Sequence, residues 1–170
     1  MPDRNPDELQ LRLATAADVR LIAEQRAAMW VDMGQLRPDA VETMVEATAA
    51  RLGPALAGGR YVGWLLAPVA APDRPAAGAG ILLREQHPFP VDGGRAVRFG
   101  EQGLVVNVYT APAWRRRGLA ERLMRALLAW TETRGLSSVV LHASDDGRAL
   151  YERLGFRGTN EMRWAGFPGR

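Results

Sequence analysis

The chain has 170 residues and a formal net charge of +3, one domain's length and enough to bury a core without staples. It has no Cys and no Lys; all 22 basic residues are Arg, beside two His and three Ser. That excludes disulfides, Cys-ligated zinc, a Cys nucleophile, Schiff-base chemistry, a P-loop lysine and a three-His metal site.

Residues 1–8 are polar and read as a flexible terminus; residues 9–170 read as one domain. The terminus has no apolar leader, and Tyr61 to Ala71, the longest nearly apolar stretch, is too short to span a bilayer, so a cytoplasmic location is expected. Leu9 to Leu13 alternates Leu-x-Leu-x-Leu, a half-buried strand. Thr15-Ala-Ala-Asp18 has the form of a capping box before a helix reaching about residue 33. Pro38 suits the first turn of a second helix, whose stripe is Val41, Met44, Val45, Ala49 and Leu52, with Thr48 a polar interruption and Pro54 its stop. Tyr61–Leu66 and Ala79–Leu83 read as strands of a hairpin with a Pro-rich loop. Residues 86–103 read as a long loop. Leu104–Thr110 is a strand, Gly118–Arg134 an amphipathic helix ended by Gly135, and Ser138–Ala143 another strand. Arg148–Leu154 reads as a short helix and Arg157–Trp164 as a last extended stretch. The strand–helix–strand unit over 104–143 implies a parallel pair.

The positive charge is local. Residues 111–134 carry six Arg against two acids, while residues 1–110 are net −2 and 135–170 net +1. This suits a compact anionic ligand better than a long polyanion and argues against nucleic acid. The basic segment holds Trp114-Arg-Arg-Arg-Gly-Leu-Ala120, between a strand and a helix N-terminus. The first helical N–H groups lack partners, the macrodipole places partial positive charge there, and Gly118 lets an anion approach the backbone. Arg115, Arg116 and Arg117 add charged donors. The other reading of this string is a solvated basic turn. Gly78-Ala-Gly80 begins like a dinucleotide fingerprint but lies in a strand and lacks the third small residue.

Arg115-x-x-Gly118-x-Ala120 resembles the acetyl-coenzyme A signature of the GNAT superfamily of N-acetyltransferases, Arg/Gln-x-x-Gly-x-Gly/Ala. Ser144-x-x-Gly147-x-x-Leu150-Tyr151-x-x-x-Gly155-Phe156 resembles that family's second motif, with Ser for Asn and Gly for Ala. The element order from 9 to 164 is similar to the same fold. The resemblance implies an α/β fold with a mixed, mostly antiparallel central sheet, a splayed parallel strand pair and flanking helices. It implies acetyl-CoA as acyl donor, with no metal, and direct transfer to a primary amine in a ternary complex. Val108, Tyr109 and Thr110 would bind the pantetheine arm through their backbone. Arg115, Arg116, Arg117, Gly118, Leu119 and Ala120 would hold the pyrophosphate, with Ser144 a further cofactor contact. Tyr151 stands where the family's acid protonates the thiolate; packed between Leu150 and Leu154, it also reads as a helix-interior residue. A non-catalytic acyl-CoA-binding regulatory module on the same fold is the alternative.

The base and the acceptor stay open at this level. Asn107 reads as an orienting group or a satisfied buried amide. His142 reads more readily as a packing residue than as a proton relay. Glu85 and Glu101 flank the long loop, Asp145 and Asp146 read as helix caps, and Met29, Trp30 and Met33 end the first helix, near where the family's acceptor pocket lies. Oligomeric state is not readable, and the resemblance is compatible with a homodimer.

Overall fold

The computed structural model describes residues 8–162 and residue 164. Of the expected flexible terminus only Glu8 falls within them.

Strand β1 (Leu9–Leu13) leads through a 3-10 turn (Ala16–Asp18) into helix α1 (Val19–Asp32). Asp18 organises this entry. Its carboxylate accepts the Thr15 N–H at 2.7 Å and both terminal nitrogens of Arg12 at 2.7 and 2.8 Å. The Arg12 guanidinium is the main reason its pKa falls to about 2, and the Thr15 groups add to it against the opposing effect of burial. A second 3-10 turn (Pro38–Ala40) opens α2 (Val41–Ala57). Then come β2 (Tyr61–Pro68), β3 (Ala77–Val91), β4 (Ala96–Thr110), α3 (Leu119–Arg134), β5 (Ser138–Leu141) and α4 (Asp145–Arg153).

The five strands form one sheet in the order β1-β2-β3-β4-β5. The first three pairings are antiparallel and β4–β5 is parallel, so the fold class expected from the sequence is the one observed. Both sheet faces are covered. Trp64, Leu66, Ala79 and Ile81 pack with Leu119, Leu123, Met124 and Leu127 of α3. On the other face Tyr61 and Leu65 pack with Ile22 of α1 and Leu52 and Ala55 of α2. Strand β2 is therefore buried on both sides, and its near-continuous apolar run follows from that. Among the described residues no helix is long and apolar enough to cross a membrane.

Four local expectations are corrected. Residues 86–103 are not a loop: β3 and β4 continue as a paired ribbon to a tight connection at Asp92–Gly94. Strand β2 ends its pairing with β3 at Leu82, and after the Leu83 N–H bonds to the Arg60 carbonyl the outer edge of β3 has no strand partner among the described residues. Prolines are tolerated on such an edge and at bulges, and Pro88 lies inside the register shift between Gln86 and Phe89. Pro54 does not stop α2, which runs on to Ala57. Proline removes one helical hydrogen bond, and the burial of Leu52 and Ala55 on either side of it holds the last turn in place. Strand β5 ends at Leu141, so His142 is not a packing residue; it is exposed, 3.4 Å from Glu161. Residues 157–162 form no strand, because β5 is the last strand to join the sheet; the rest of that stretch, apart from Trp164, lies outside the described residues.

Candidate active site

Strand β4 has two different edges. Toward β3 it stays paired as far as Thr110, opposite Ala77. Toward β5 the register runs only from Gln102–Ser138 to Val105–Leu141. Among the described residues the β5 side of β4 therefore has no strand neighbour from residue 106 to 110. Backbone N–H and C=O groups left open in this way need a partner, and Val108, Tyr109 and Thr110 lie in this stretch. The separation coincides with a bulge. Gly78 pairs with Tyr109 and Gly80 with Val106, so two steps on β3 span three on β4. Asn107 is the residue at the irregularity, in a left-handed conformation (φ 59°), which Asn adopts more readily than most residues.

Beyond Thr110 the chain makes a 3-10 turn at Pro112–Trp114 and reaches α3. Arg116 and Gly118 are both left-handed (φ 63° and 74°). A Cβ on Gly118 would meet nothing within 4 Å, so glycine is favoured here by conformation, beside open space. The Arg122 N–H bonds to the Gly118 carbonyl at 3.0 Å, and the N–H groups of Leu119, Ala120 and Glu121 precede that first helical bond. The three arginines differ in posture. Arg115 turns back, donating to the Thr110 carbonyl at 3.1 Å and pairing with Asp32 of α1. Arg117 lies over the buried Trp114 ring at 5.3 Å, and Arg116 is exposed. Leu119 puts its side chain in the core, leaving only its backbone to the turn.

Ser144 and Tyr151 stand on a separate element. The Ser144 hydroxyl accepts the Gly147 N–H at 3.2 Å and caps α4, so Asp145 and Asp146 sit in the first turn rather than at the cap. Helix α4 thus begins three residues before the expected start. The Tyr151 ring packs edge-on to Phe156, centroids 6.0 Å apart. It also lies over Gly147, where a Cβ would come 2.8 Å from Tyr151 Cε2; the glycine standing where the family has Ala makes room for this ring position. A tyrosine phenol is protonated at neutral pH, and burial raises the Tyr151 pKa further. Tyr151 and Val108 both pack against the α3-side core. Glu85 and Glu101 face each other across the ribbon, and Glu101 binds Arg134 at 2.9 Å.

On the opposite sheet face a cavity of about 330 Å³ opens between α1, α2 and the strands, lined in part by Arg26, Met44, Thr48, Arg51, Tyr61 and Asn107. Asn107 joins its polar groups. The Asn107 carbonyl accepts Arg26 Nη1 at 2.7 Å, and its amide nitrogen lies 3.5 Å from the Tyr61 hydroxyl. Asn107 is thus both buried and bonded, and it also lines a cavity. Burial pushes the Tyr61 pKa up to about 12, against the opposing pull of Asn107 and Arg26. Sequence reasoning missed Arg26, Arg51 and Tyr61. A signal for Tyr61 existed in Gly78-Ala-Gly80: a Cβ on Gly80 would come 2.0 Å from the Tyr61 hydroxyl, and one on Gly78 2.4 Å from Gln25 Oε1. The Gly-x-Gly string serves side-chain passage, not nucleotide binding. For the second helix the signal was Thr48, whose break in the apolar stripe faces the cavity.

The acetyltransferase (GNAT) family model matches residues 35–156. Among solved structures, the chain is similar to a GCN5-related N-acetyltransferase from Ralstonia eutropha, with 30% identity and a TM-score of 0.79 over 92% of this chain and 97% of that one. It shares its fold with a predicted acetyltransferase from Clostridium acetobutylicum solved with acetyl-CoA, at 24% identity and a TM-score of 0.75 over 93% and 96% of the two chains. It also shares it with an aminoglycoside N-acetyltransferase in complex with CoA, at 15% identity and a TM-score of 0.67 over 94% and 95%. No curated protein matches the sequence.

Proposed function

Because the chain belongs to the GNAT family of acetyltransferases, we propose that it moves acetyl from acetyl-CoA directly to a primary amine within a ternary complex. The observation that carries this reading is the open β5-side edge of β4 over residues 106–110, running into a turn with a left-handed Gly118. The backbone of Val108, Tyr109 and Thr110 offers an amide-rich arm the partners it needs. The N–H groups at the start of α3, with Arg116 and Arg117 beside them, suit a pyrophosphate. Arg115 shapes the turn from behind through Thr110 and Asp32.

Acetyl-CoA supplies an activated acetyl thioester. The acceptor nitrogen bonds to the acetyl carbon as the carbon–sulfur bond breaks; the amine gives up a proton and the departing thiolate takes one. Tyr151, protonated at neutral pH, is the donor of that proton. No Cys is present to form an acyl-enzyme thioester, so holding both substrates together is the main source of rate. The cavity on the α1–α2 face is the acceptor's entrance, and Asn107 at the bulge adjoins both the cavity and the open edge.

The test is calorimetric binding of acetyl-CoA together with thiol release across an amine panel. The absence of Cys removes protein background from the thiol assay. Binding with amine-dependent release supports the reading. Binding without release from any amine would instead assign a non-catalytic acyl-CoA module.

A further inference from the structure

The cavity between α1, α2 and the sheet carries charge of one sign. Arg26 and Arg51 line it, together with apolar Met44, Leu52, Leu82 and Val106, and no carboxylate does. Among the described residues neither guanidinium has an ion-pair partner. Of the acids on and beside the two helices, Glu24 and Glu42 both bind Arg20, Asp32 binds Arg115 and Asp39 binds Arg37, while Glu46 is exposed and does not line the cavity.

Arg26 is half-buried, and burial pushes its pKa down from the usual arginine value, though a guanidinium stays charged. Its bond to the neutral Asn107 carbonyl uses one of five donors. Its guanidinium lies over the Trp30 ring at 5.6 Å. A half-buried cation without a counter-charge is costly. A ligand bearing negative charge supplies one.

We propose that the acceptor is a small amine bearing a carboxylate or phosphate, with that anion held by Arg26 and Arg51 and its apolar part against Met44, Leu52 and Val106. This rests on reading the chain as an amine acetyltransferase. Polycationic amines and basic peptides are then poor acceptors, since both arginines repel them.

Matched pairs test it: L-methionine against L-methioninamide for a carboxylate, and O-phosphoethanolamine against ethanolamine for a phosphate. In thiol-release kinetics at least one anionic member should exceed its neutralised partner in kcat/KM by about tenfold or more, the range of a charge-assisted hydrogen bond. The amide's amine is the less protonated of its pair, so intrinsic reactivity opposes this result. Calorimetry of N-acetyl-L-methionine, its amide and inorganic phosphate on the CoA-loaded protein reads the anion preference without turnover. Arg51→Gln, at the exposed edge of the cavity, and Arg26→Gln should each collapse the preference toward unity, with folding checked by melting. Equal or better use of both neutralised partners, with no preferential anion binding, overturns the proposal. Preferential anion binding that the variants abolish, without acetyl transfer to any amine, upholds the anion site and overturns the acetyltransferase reading instead.

Discussion

At the scale of single residues, Tyr151 and Gly118 separate chemistry from binding. Tyr151→Phe keeps the ring against Phe156 and removes only the proton donor. Stability should change by no more than about 1 kcal/mol, while single-turnover transfer slows by roughly 10²–10⁴-fold. The acetyl-CoA dissociation constant should hold, since charge on sulfur develops only as the bond breaks. Slowing of less than about threefold would remove Tyr151 as the acid. Gly118→Val places a branched side chain on a left-handed residue, at a conformational cost of about 1–2 kcal/mol, and in the open space before α3. Cofactor affinity should fall by more than stability does; calorimetry beside a denaturant melt reads both, and unchanged affinity would make the turn a basic cap only. Asp18 tests pH dependence. Its carboxyl titrates at about 2 in the fold and near 4 when unfolded. A group lowered in this way stabilises fully above its unfolded value and loses that contribution as pH falls through the folded one. Between about pH 5 and pH 2 the stability difference between wild type and Asp18→Asn should therefore shrink by on the order of 2 kcal/mol. A constant difference across that window would show that Arg12 does not hold Asp18 ionised.

At the scale of elements, the hairpins of the sheet shape the cavity under α1 and α2. Tyr61 of β2 reaches the cavity across Gly80 of β3, and also passes within 3.0 Å of where a Cβ on Gly63 would stand. Gly80→Ala should destabilise by about 1–3 kcal/mol through overpacking. Adding Tyr61→Ala should recover part of that loss, a non-additivity that a double-mutant cycle measures directly. Strict additivity would mean the tyrosine does not pass over this glycine. The β3–β4 ribbon shows why element readings failed where they did. Pro88, Pro90, Gly93 and Gly94 are loop residues by local preference, yet the flanking backbone pairs because neither partner strand has to be a central one there. Tertiary position decided what proline could be tolerated in.

For the whole molecule, the prediction is linkage between ligand and fold. Acetyl-CoA at about 100 times its dissociation constant should stabilise by roughly 2.7 kcal/mol. For a chain of this length that raises the melting temperature by about 5–11 °C. The absence of any shift at millimolar acetyl-CoA, with no calorimetric binding, would sink the cofactor reading. The basic turn before α3 was legible because it is local. Residues 115–120 form one turn, their charge is countable in the string, and strand, turn and helix follow one another. The cavity was not, because Arg26, Arg51, Tyr61 and Asn107 come from α1, α2, β2 and β4.

Sequence alone determined the α/β order, the parallel strand–helix–strand unit, the amphipathic α3 between two glycines, and the exclusion of Cys and Lys chemistry. Each of these depends on periodicity, on a residue's own backbone preference, or on plain composition. Tertiary structure decided where β4 parts from β5, that Asn107 takes the bulge, and that Ser144 caps α4. It decided that Arg115 pairs with Asp32 of α1. It also gathered two arginines around one cavity with no carboxylate on its walls. These outcomes depend on which distant segments share a face, and a face is defined only once the sheet has formed and both helical layers have closed over it.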